Sequence, residues 1–123
     1  MARVLVIDDD TQNRTLLKRL LECEGHDVTE APDGNAGLET YRQAPSDLVV
    51  TDIIMPEKDG IETIREFRRD FPDLKIIALS GGGRVMDGES CLNVAEKMGA
   101  HRTFTKPLDL KGFLEAIHEL LED

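Results

Sequence analysis

The sequence predicts a doubly wound α/β domain, a (βα)5 arrangement in which a parallel sheet is covered by helices on both faces. Short β-branched runs recur along the chain and are apolar at consecutive positions, as is typical of strands buried on both faces. Amphipathic helical patterns fill the gaps, so strand and helix alternate along the whole length. The 123 residues fit one compact domain.

The five predicted strands differ in polarity. Strands at residues 4–7, 48–50 and 76–79 are strongly apolar, and a weaker one covers 103–105. The strand at 28–31 is the most polar, and we expect it at an edge of the sheet.

Five helices are predicted between and after the strands. In the first, Leu16, Leu17, Leu20 and Leu21 are expected to form one buried face, and Gly25 supplies a stop signal. The last carries a similar apolar pattern, with Asp109 as a plausible N-terminal cap. The predicted helices cover residues 11–24, 35–42, 61–71, 90–98 and 109–121.

The charge balance excludes several classes of function. Lys and Arg number 15 against 25 Asp and Glu, for a formal net charge of -10. Such a surface repels nucleic acids and anionic lipid, because binding to phosphate depends on basic side chains. No apolar run approaches the roughly 20 residues of a membrane span, and the N-terminus lacks a signal-peptide pattern. We therefore expect a cytoplasmic protein that neither inserts into membranes nor binds nucleic acid directly.

The two cysteines have no metal-type spacing. Cys23 and Cys91 lie far apart in the chain, and we expect both to be small buried core residues rather than a disulfide or a metal site.

Polar side chains follow the ends of four predicted strands. Asp8 and Asp9 follow the first strand, and Asp52, Ser80 and Lys106 follow later ones. The functional crevice of an open parallel sheet lies outside the carboxyl ends of its strands. These acids, the hydroxyl and the ammonium are therefore expected at one edge of the sheet.

Carboxylates gathered in one crevice need compensating positive charge. Two like charges about 4 Å apart repel by roughly 4 kcal/mol at an effective dielectric of 20. The candidate side-chain ligands are all oxygen donors, with no His or Cys among them, which favours a hard divalent ion. Mg²⁺ fits best, since it keeps water ligands that a phosphate can displace. The pattern predicts a metal-assisted phosphoryl site.

The chain resembles the receiver domains of two-component response regulators. The matching segments span nearly the whole sequence in the family's order, and the Asp-x-x-Met-Pro-x-x-x-Gly run that begins at Asp52 is the most specific of them. The resemblance implies a flavodoxin-like three-layer sandwich with strand order 2-1-3-4-5. The matching segments are residues 6–10, 51–60, 78–81, 98–100 and 106–107.

The resemblance also implies a phosphoacceptor site. Asp52 would accept a phosphoryl group from a sensor histidine kinase or a histidine phosphotransfer protein. Asp9 and Asp52 would bind Mg²⁺ directly, and the backbone carbonyl of Ile54 would complete the protein ligands. Asp8 would bind the ion through water or lie in its shell.

Two further residues would act on the phosphoryl group. By the same resemblance, Lys106 would pair with a phosphoryl oxygen, and Ser80 would hydrogen-bond to the group once it is in place. Many receivers have an aromatic residue three positions before the lysine, where this chain has Thr103. Phe104 is expected on the opposite face of that strand. The glycine-rich segment at 81–89 is longer than in many receivers, and an ordering of this loop on phosphorylation is the alternative to an aromatic switch.

Simpler interpretations remain open for some of these residues. The acids at 8–10 are also suited to a strand-to-helix turn, and Asp10 or Thr11 is expected to cap the first helix. The histidines His26, His101 and His118 are not part of any predicted site, and we expect them at the surface.

The leading interpretation is a phosphorylation-controlled switch over residues 1–123 without an output domain or independent enzymatic turnover. Its signal would leave through the last two helices and the last strand towards an unidentified downstream protein, from a monomer or a weak phosphorylation-dependent dimer. The alternative is a haloacid-dehalogenase-like Mg²⁺ phosphatase, whose opening motif is half met, because Gln12 stands where Thr or Val is needed.

Overall fold

A computed structural model describes residues 2–53, 60–81, 99–106 and 109–122. Five parallel strands form one sheet in the order β2-β1-β3-β4-β5. This confirms the predicted fold and strand order, including the edge position of the most polar strand. The strands are β1 (Arg3–Ile7), β2 (Asp27–Ala31), β3 (Leu48–Asp52), β4 (Lys75–Gly81) and β5 (Arg102–Lys106).

The helices in the described part of the chain agree with four of the five predicted. Asp10 caps the first of them, accepting hydrogen bonds from the backbone N–H groups of Gln12 and Asn13, and Gly25 follows its end with φ 90°, a conformation that favours glycine. The predicted helix at 90–98 lies outside the described residues. The helices are α1 (Thr11–Cys23), α2 (Gly34–Gln43), α3 (Gly60–Asp70) and α4 (Leu110–Glu122).

Apolar side chains fill both spaces between the sheet and its helices. On one face Leu5 and Ile7 of β1 pack with residues of α2 and α3, such as Phe67. On the other face Val4 and Val6 pack with residues of α1 and α4. Because successive side chains of a strand point to opposite faces, a strand covered on both faces needs the consecutive apolar residues seen in the sequence.

Two expectations about burial in α1 are wrong. Leu17 and Leu21 are buried, but Leu16 is 59% exposed, because it lies on the flank of the helix stripe that meets the sheet. Cys23 is an exposed free cysteine, since it is the last residue of α1 and lies beyond the buried turn at Leu21. Cys91 lies outside the described residues.

Long apolar helices are absent from the described ranges: none of the helices there has the length and hydropathy needed to cross a membrane.

Candidate functional site

Two neighbouring strands, β1 and β3, position the acidic residues at the carboxyl edge of the sheet. Ile7 and Thr51 are register partners on β1 and β3, so Asp8 and Asp52, which follow them, arrive side by side at the carboxyl edge. Asp9 joins them from the turn into α1. One carboxylate oxygen from each of the three aspartates lies within 4.8 Å of the others.

This acidic cluster, Asp8, Asp9 and Asp52, combines burial with access. Asp8 is fully buried and Asp52 is 6% exposed, whereas Asp9 is exposed. A site of this kind is open on one side, where a ligand enters, and enclosed by protein on the other.

The donor set of the acidic cluster fits a hard divalent cation. An octahedral ion with metal–oxygen distances of about 2.1 Å holds its ligand oxygens about 3–4 Å apart. The three aspartate oxygens lie within 4.8 Å of one another, and all of them are carboxylate oxygens, which Mg²⁺ prefers. The geometry is therefore suited to Mg²⁺.

Backbone hydrogen bonds hold the turn that carries two of these acids. The Asp8 N–H donates to the carbonyl of Ala31 on β2 (3.1 Å), and the Asp10 N–H donates to the Asp8 Oδ1 (2.9 Å). Asp10 therefore serves the turn and the helix cap, as expected, and is not among the three residues that converge.

Ser80 lies at the same edge of the sheet. Asp52 and Leu79 are register partners on β3 and β4, so Ser80 follows directly beside the acidic cluster. It is fully buried, and its Oγ finds no hydrogen-bond partner among the described residues. A buried hydroxyl without a partner costs about 1–3 kcal/mol, and a water, an ion or another bound group at this edge would relieve that cost.

The structure describes the other predicted site residues only in part. The backbone of Lys106 ends β5 as the partner of Gly81 on β4, at the expected edge, but its side chain lies outside the described part of the chain. Ile54, the glycine-rich segment from 82 to 89 and Pro107 also lie outside the described residues.

The aromatic residue near the end of β5 faces away from Thr103. Phe104 packs edge to face against Phe113 of α4, with ring centroids 5.8 Å apart and an interplanar angle of 85°. Thr103 is half-buried. The prediction that the two side chains occupy opposite faces of the strand is consistent with this packing.

Sequence reasoning missed one charged residue beside the acidic cluster. The Arg14 Nη1 donates to the backbone carbonyl of Asp8 at 2.6 Å. The spacing carries a signal that would have found it, because Arg14 lies one helical turn after the cap Asp10 and so faces back towards the turn.

Fold and site together define an α/β domain with an acidic pocket at the carboxyl edge of its central strands. The chain matches the family model of the response regulator receiver domain over residues 4–118. It belongs to this family.

Relatives of similar length support the same assignment. The chain is 34% identical over 122 residues to the response regulator receiver protein CpdR of Brucella abortus, covering 98% of both chains. It is 34% identical over 119 residues to the chemotaxis protein CheY of Thermotoga maritima, covering 96% of both. The structure of a receiver domain protein from Clostridium thermocellum superposes with a TM-score of 0.90 at 30% identity, covering 99% of this chain and 95% of that one.

Family membership establishes the general function. The chain is a receiver domain of two-component signalling, and receiver domains are signalling proteins that take a phosphoryl group onto an aspartate. The family binds Mg²⁺ at an acidic pocket and is phosphorylated by histidine kinases or phosphotransfer proteins.

Proposed function

We propose that Asp52 is the phosphoacceptor of this receiver domain. The observation that carries the proposal is the convergence of Asp8, Asp9 and Asp52 within 4.8 Å at the end of the two central strands. Asp52 comes from β3 itself and is nearly buried, so its carboxylate is held by the core, whereas Asp9 is exposed in the turn.

The proposed transfer forms one bond and breaks another. A carboxylate oxygen of Asp52 attacks the phosphorus of a phosphohistidine on a sensor kinase or phosphotransfer protein. The phosphorus–nitrogen bond breaks, and its electron pair returns to the imidazole. The proposal places the protein in the cytoplasm, where such donors are phosphorylated by ATP.

The acidic cluster is proposed to hold Mg²⁺. Asp9 and Asp52 supply direct carboxylate ligands, Asp8 acts through water, and the Ile54 carbonyl completes the set by resemblance to the family. When bound, the ion neutralises negative charge on the transferring phosphoryl oxygens.

Two side chains are proposed to contact the phosphoryl group after its transfer. The buried Oγ of Ser80, which has no hydrogen-bond partner within the described ranges, donates a hydrogen bond to a phosphoryl oxygen. Lys106, at the end of the neighbouring strand, is assigned a charge-neutralising contact by resemblance.

The proposed output face includes β5 and α4. Ser80 on β4 is the register partner of Thr105 on β5, so a shift of Ser80 towards the phosphoryl group is passed to β5. Phe104 of β5 packs on Phe113 of α4, which extends the path to the helix. A downstream protein that binds this face would sense phosphorylation.

Intact-protein mass spectrometry after treatment with acetyl phosphate and Mg²⁺ tests the proposal. We expect one phosphoryl group per wild-type chain and none on Asp52→Asn or after chelation of the metal. Asp10→Asn is the matched control, because Asn caps a helix as well as Asp does and we expect this variant to be labelled normally. Stoichiometric labelling of Asp52→Asn would refute the assignment.

The same preparation distinguishes a switch from a phosphatase. We propose that the chain has no independent turnover, so a phosphate ester such as p-nitrophenyl phosphate should release no phosphate beyond one equivalent per chain. Continuous release that is lost in Asp52→Asn would favour the phosphatase alternative.

A further inference from the structure

Both backbone polar groups of Asp8 are held in place. Its N–H donates to the carbonyl of Ala31 on β2. Its carbonyl accepts a 2.6 Å hydrogen bond from the Nη1 of Arg14 on α1. Few degrees of freedom remain for the backbone at this point of the turn.

Arg14 is itself anchored to the edge strand. Its Nε lies 3.4 Å from the Oε1 of Glu30, and its side chain is only 16% exposed. Glu30 is the register partner of Val6, so the anchor lies beside β1. A planar guanidinium can make both contacts at once, because its N–H groups point in different fixed directions.

The held carbonyl belongs to the residue that organises the acidic turn. The Oδ1 of Asp8 accepts a hydrogen bond from the Asp10 N–H, and Asp9 lies between these two residues. A rotation of the peptide after Asp8 would therefore displace the Asp9 backbone and the Asp10 N–H, and so disturb the hydrogen bond that orients the Asp8 carboxylate.

We infer that Arg14, anchored by Glu30, is a positioning residue that keeps the carboxylates of Asp8 and Asp9 directed at Asp52. The inference rests on the proposed function, because it gives Arg14 a role in the metal affinity of the same site. Arg14 acts through the Asp8 backbone and is no ligand itself.

The two physical effects of Arg14 on a bound cation have opposite signs. Its positive charge repels a divalent ion, so charge alone predicts tighter binding when Arg14 is neutralised. Its hydrogen bond orients the ligands, so positioning predicts weaker binding when the fork is lost. Arg14→Lys separates them, since lysine keeps the charge but has one nitrogen and cannot make both contacts.

Titration calorimetry with Mg²⁺ on Arg14→Lys is the decisive experiment. We expect the dissociation constant to rise roughly tenfold, the lower end of the effect seen when partners of metal ligands are removed. Hydrogen exchange of the Asp10 amide in metal-free protein provides a second readout, and we expect faster exchange in the variant.

Lys18→Gln is the matched control. Lys18 pairs with the other oxygen of Glu30 at 3.5 Å, one turn further along α1 than Arg14, and we expect this variant to bind Mg²⁺ as the wild type does.

Two results would overturn the inference. One is unchanged Mg²⁺ affinity in Arg14→Lys with tighter binding in Arg14→Gln, which would leave only a charge effect. The other is a loss in Lys18→Gln as large as that in Arg14→Lys. The proposed function fails separately, if the wild-type chain neither binds Mg²⁺ nor is labelled on Asp52.

Discussion

The carboxyl edge and the amino edge of the sheet differ in how they hold charged side chains. At the carboxyl edge, Asp8, Asp9 and Asp52 bring like charges within 4.8 Å. At the amino edge, Arg68 of α3 donates hydrogen bonds to the carbonyls of Pro72 and Gly99. One edge gathers three carboxylates, and the other attaches a charged side chain to main-chain oxygens.

A histidine completes the amino edge. The N–H of His101 donates to the carbonyl of Ile76 at 2.7 Å, and the N–H of Ile76 donates to the His101 Nδ1 at 3.2 Å. Arg68 Nη2 lies 3.4 Å from the same nitrogen. We call Arg68 and His101 the amino-edge clasp, because they connect the segments that lead into β4 and β5.

The difference between the edges shows that unfavourable contacts at one edge of a small sheet can be offset by stabilising hydrogen bonds at the other. The like charges of the acidic cluster, and a hydroxyl with no hydrogen-bond partner among the described residues, reduce stability at the carboxyl edge. Hydrogen bonds from a charged group, worth about 1.5–3 kcal/mol each, stabilise the opposite edge. Substitutions at the two edges should therefore have separable effects.

The largest expected effect is on metal affinity, in Asp8→Asn. We expect the Mg²⁺ dissociation constant to rise roughly 100-fold, the upper end of the effect of losing a residue that holds a metal ligand, because Asp8 is proposed to act on the ion through water. Asn retains an acceptor for the Asp10 N–H, so the turn should persist. Calorimetric titration measures the change, with Asp10→Asn as control, and near wild-type affinity would contradict the assigned cluster.

Arg68→Ala should break the amino-edge clasp without affecting the site. We expect the free energy of unfolding to fall by about 2 kcal/mol, because carbonyls of Pro72 and Gly99 lose a charged donor. Urea denaturation measures the loss. Arg69→Ala is the control: Arg69 is exposed and pairs with Asp70, and an exposed ion pair contributes little to stability. A changed Mg²⁺ affinity in Arg68→Ala would show that the two edges are not separable.

Asp52→Asn should stabilise the metal-free protein. Removing one negative charge from the acidic cluster relieves repulsion, and we expect a gain of about 1 kcal/mol at low salt that shrinks as salt screens the charges. Thermal or urea unfolding without Mg²⁺ tests this, with Asp27→Asn on the edge strand as a control for net charge. A loss of stability in Asp52→Asn would mean that favourable contacts of Asp52 outweigh the repulsion.

The smallest expected effect is the contribution of His101 to the pH dependence of the free energy of unfolding. Burial lowers the pKa of His101, and the positive charges of Arg68, Lys75 and Arg102 lower this pKa further. The neutral ring is therefore favoured in the folded state. Its contribution to stability is present above the unfolded pKa of about 6.5 and is lost as pH falls through the folded pKa.

His101→Asn tests this pH dependence. Asn keeps an acceptor near the position of Nδ1 but does not titrate, so we expect the difference in unfolding free energy between wild type and variant to change between pH 8 and pH 5. His118→Asn on α4 serves as the control for losing an exposed histidine. A constant difference across this range would exclude His101 as the titrating group.

The sequence predicts the carboxyl edge better than the amino edge, and the reason is chemical. Strand ends are visible as apolar runs, and acids that follow them are rare enough to stand out, so Asp8, Asp9 and Asp52 could be placed together in advance. The contacts of Arg68 and His101 are with backbone groups, which every residue supplies. Their pairing depends on where the loops pass in the folded chain.

The sequence alone could not predict which residues of α1 lie outside its buried face. The apolar residues of α1 predict a buried face, but how wide an arc the sheet covers depends on the tilt of the helix. Leu16 and Cys23 fall outside that arc. The acceptor of Arg14 is a backbone carbonyl, so only its spacing after Asp10, and not its residue type, indicated the contact.

The buried hydroxyl of Ser80 has a consequence for adaptation to heat. Replacing it with alanine removes a polar group that has no hydrogen-bond partner in the described structure, so a lineage selected only for thermal tolerance would gain from that change. If Ser80 binds the phosphoryl group as proposed, a lineage that must also signal would keep the serine. Thermophilic versions of this domain should therefore acquire their extra stability at other positions.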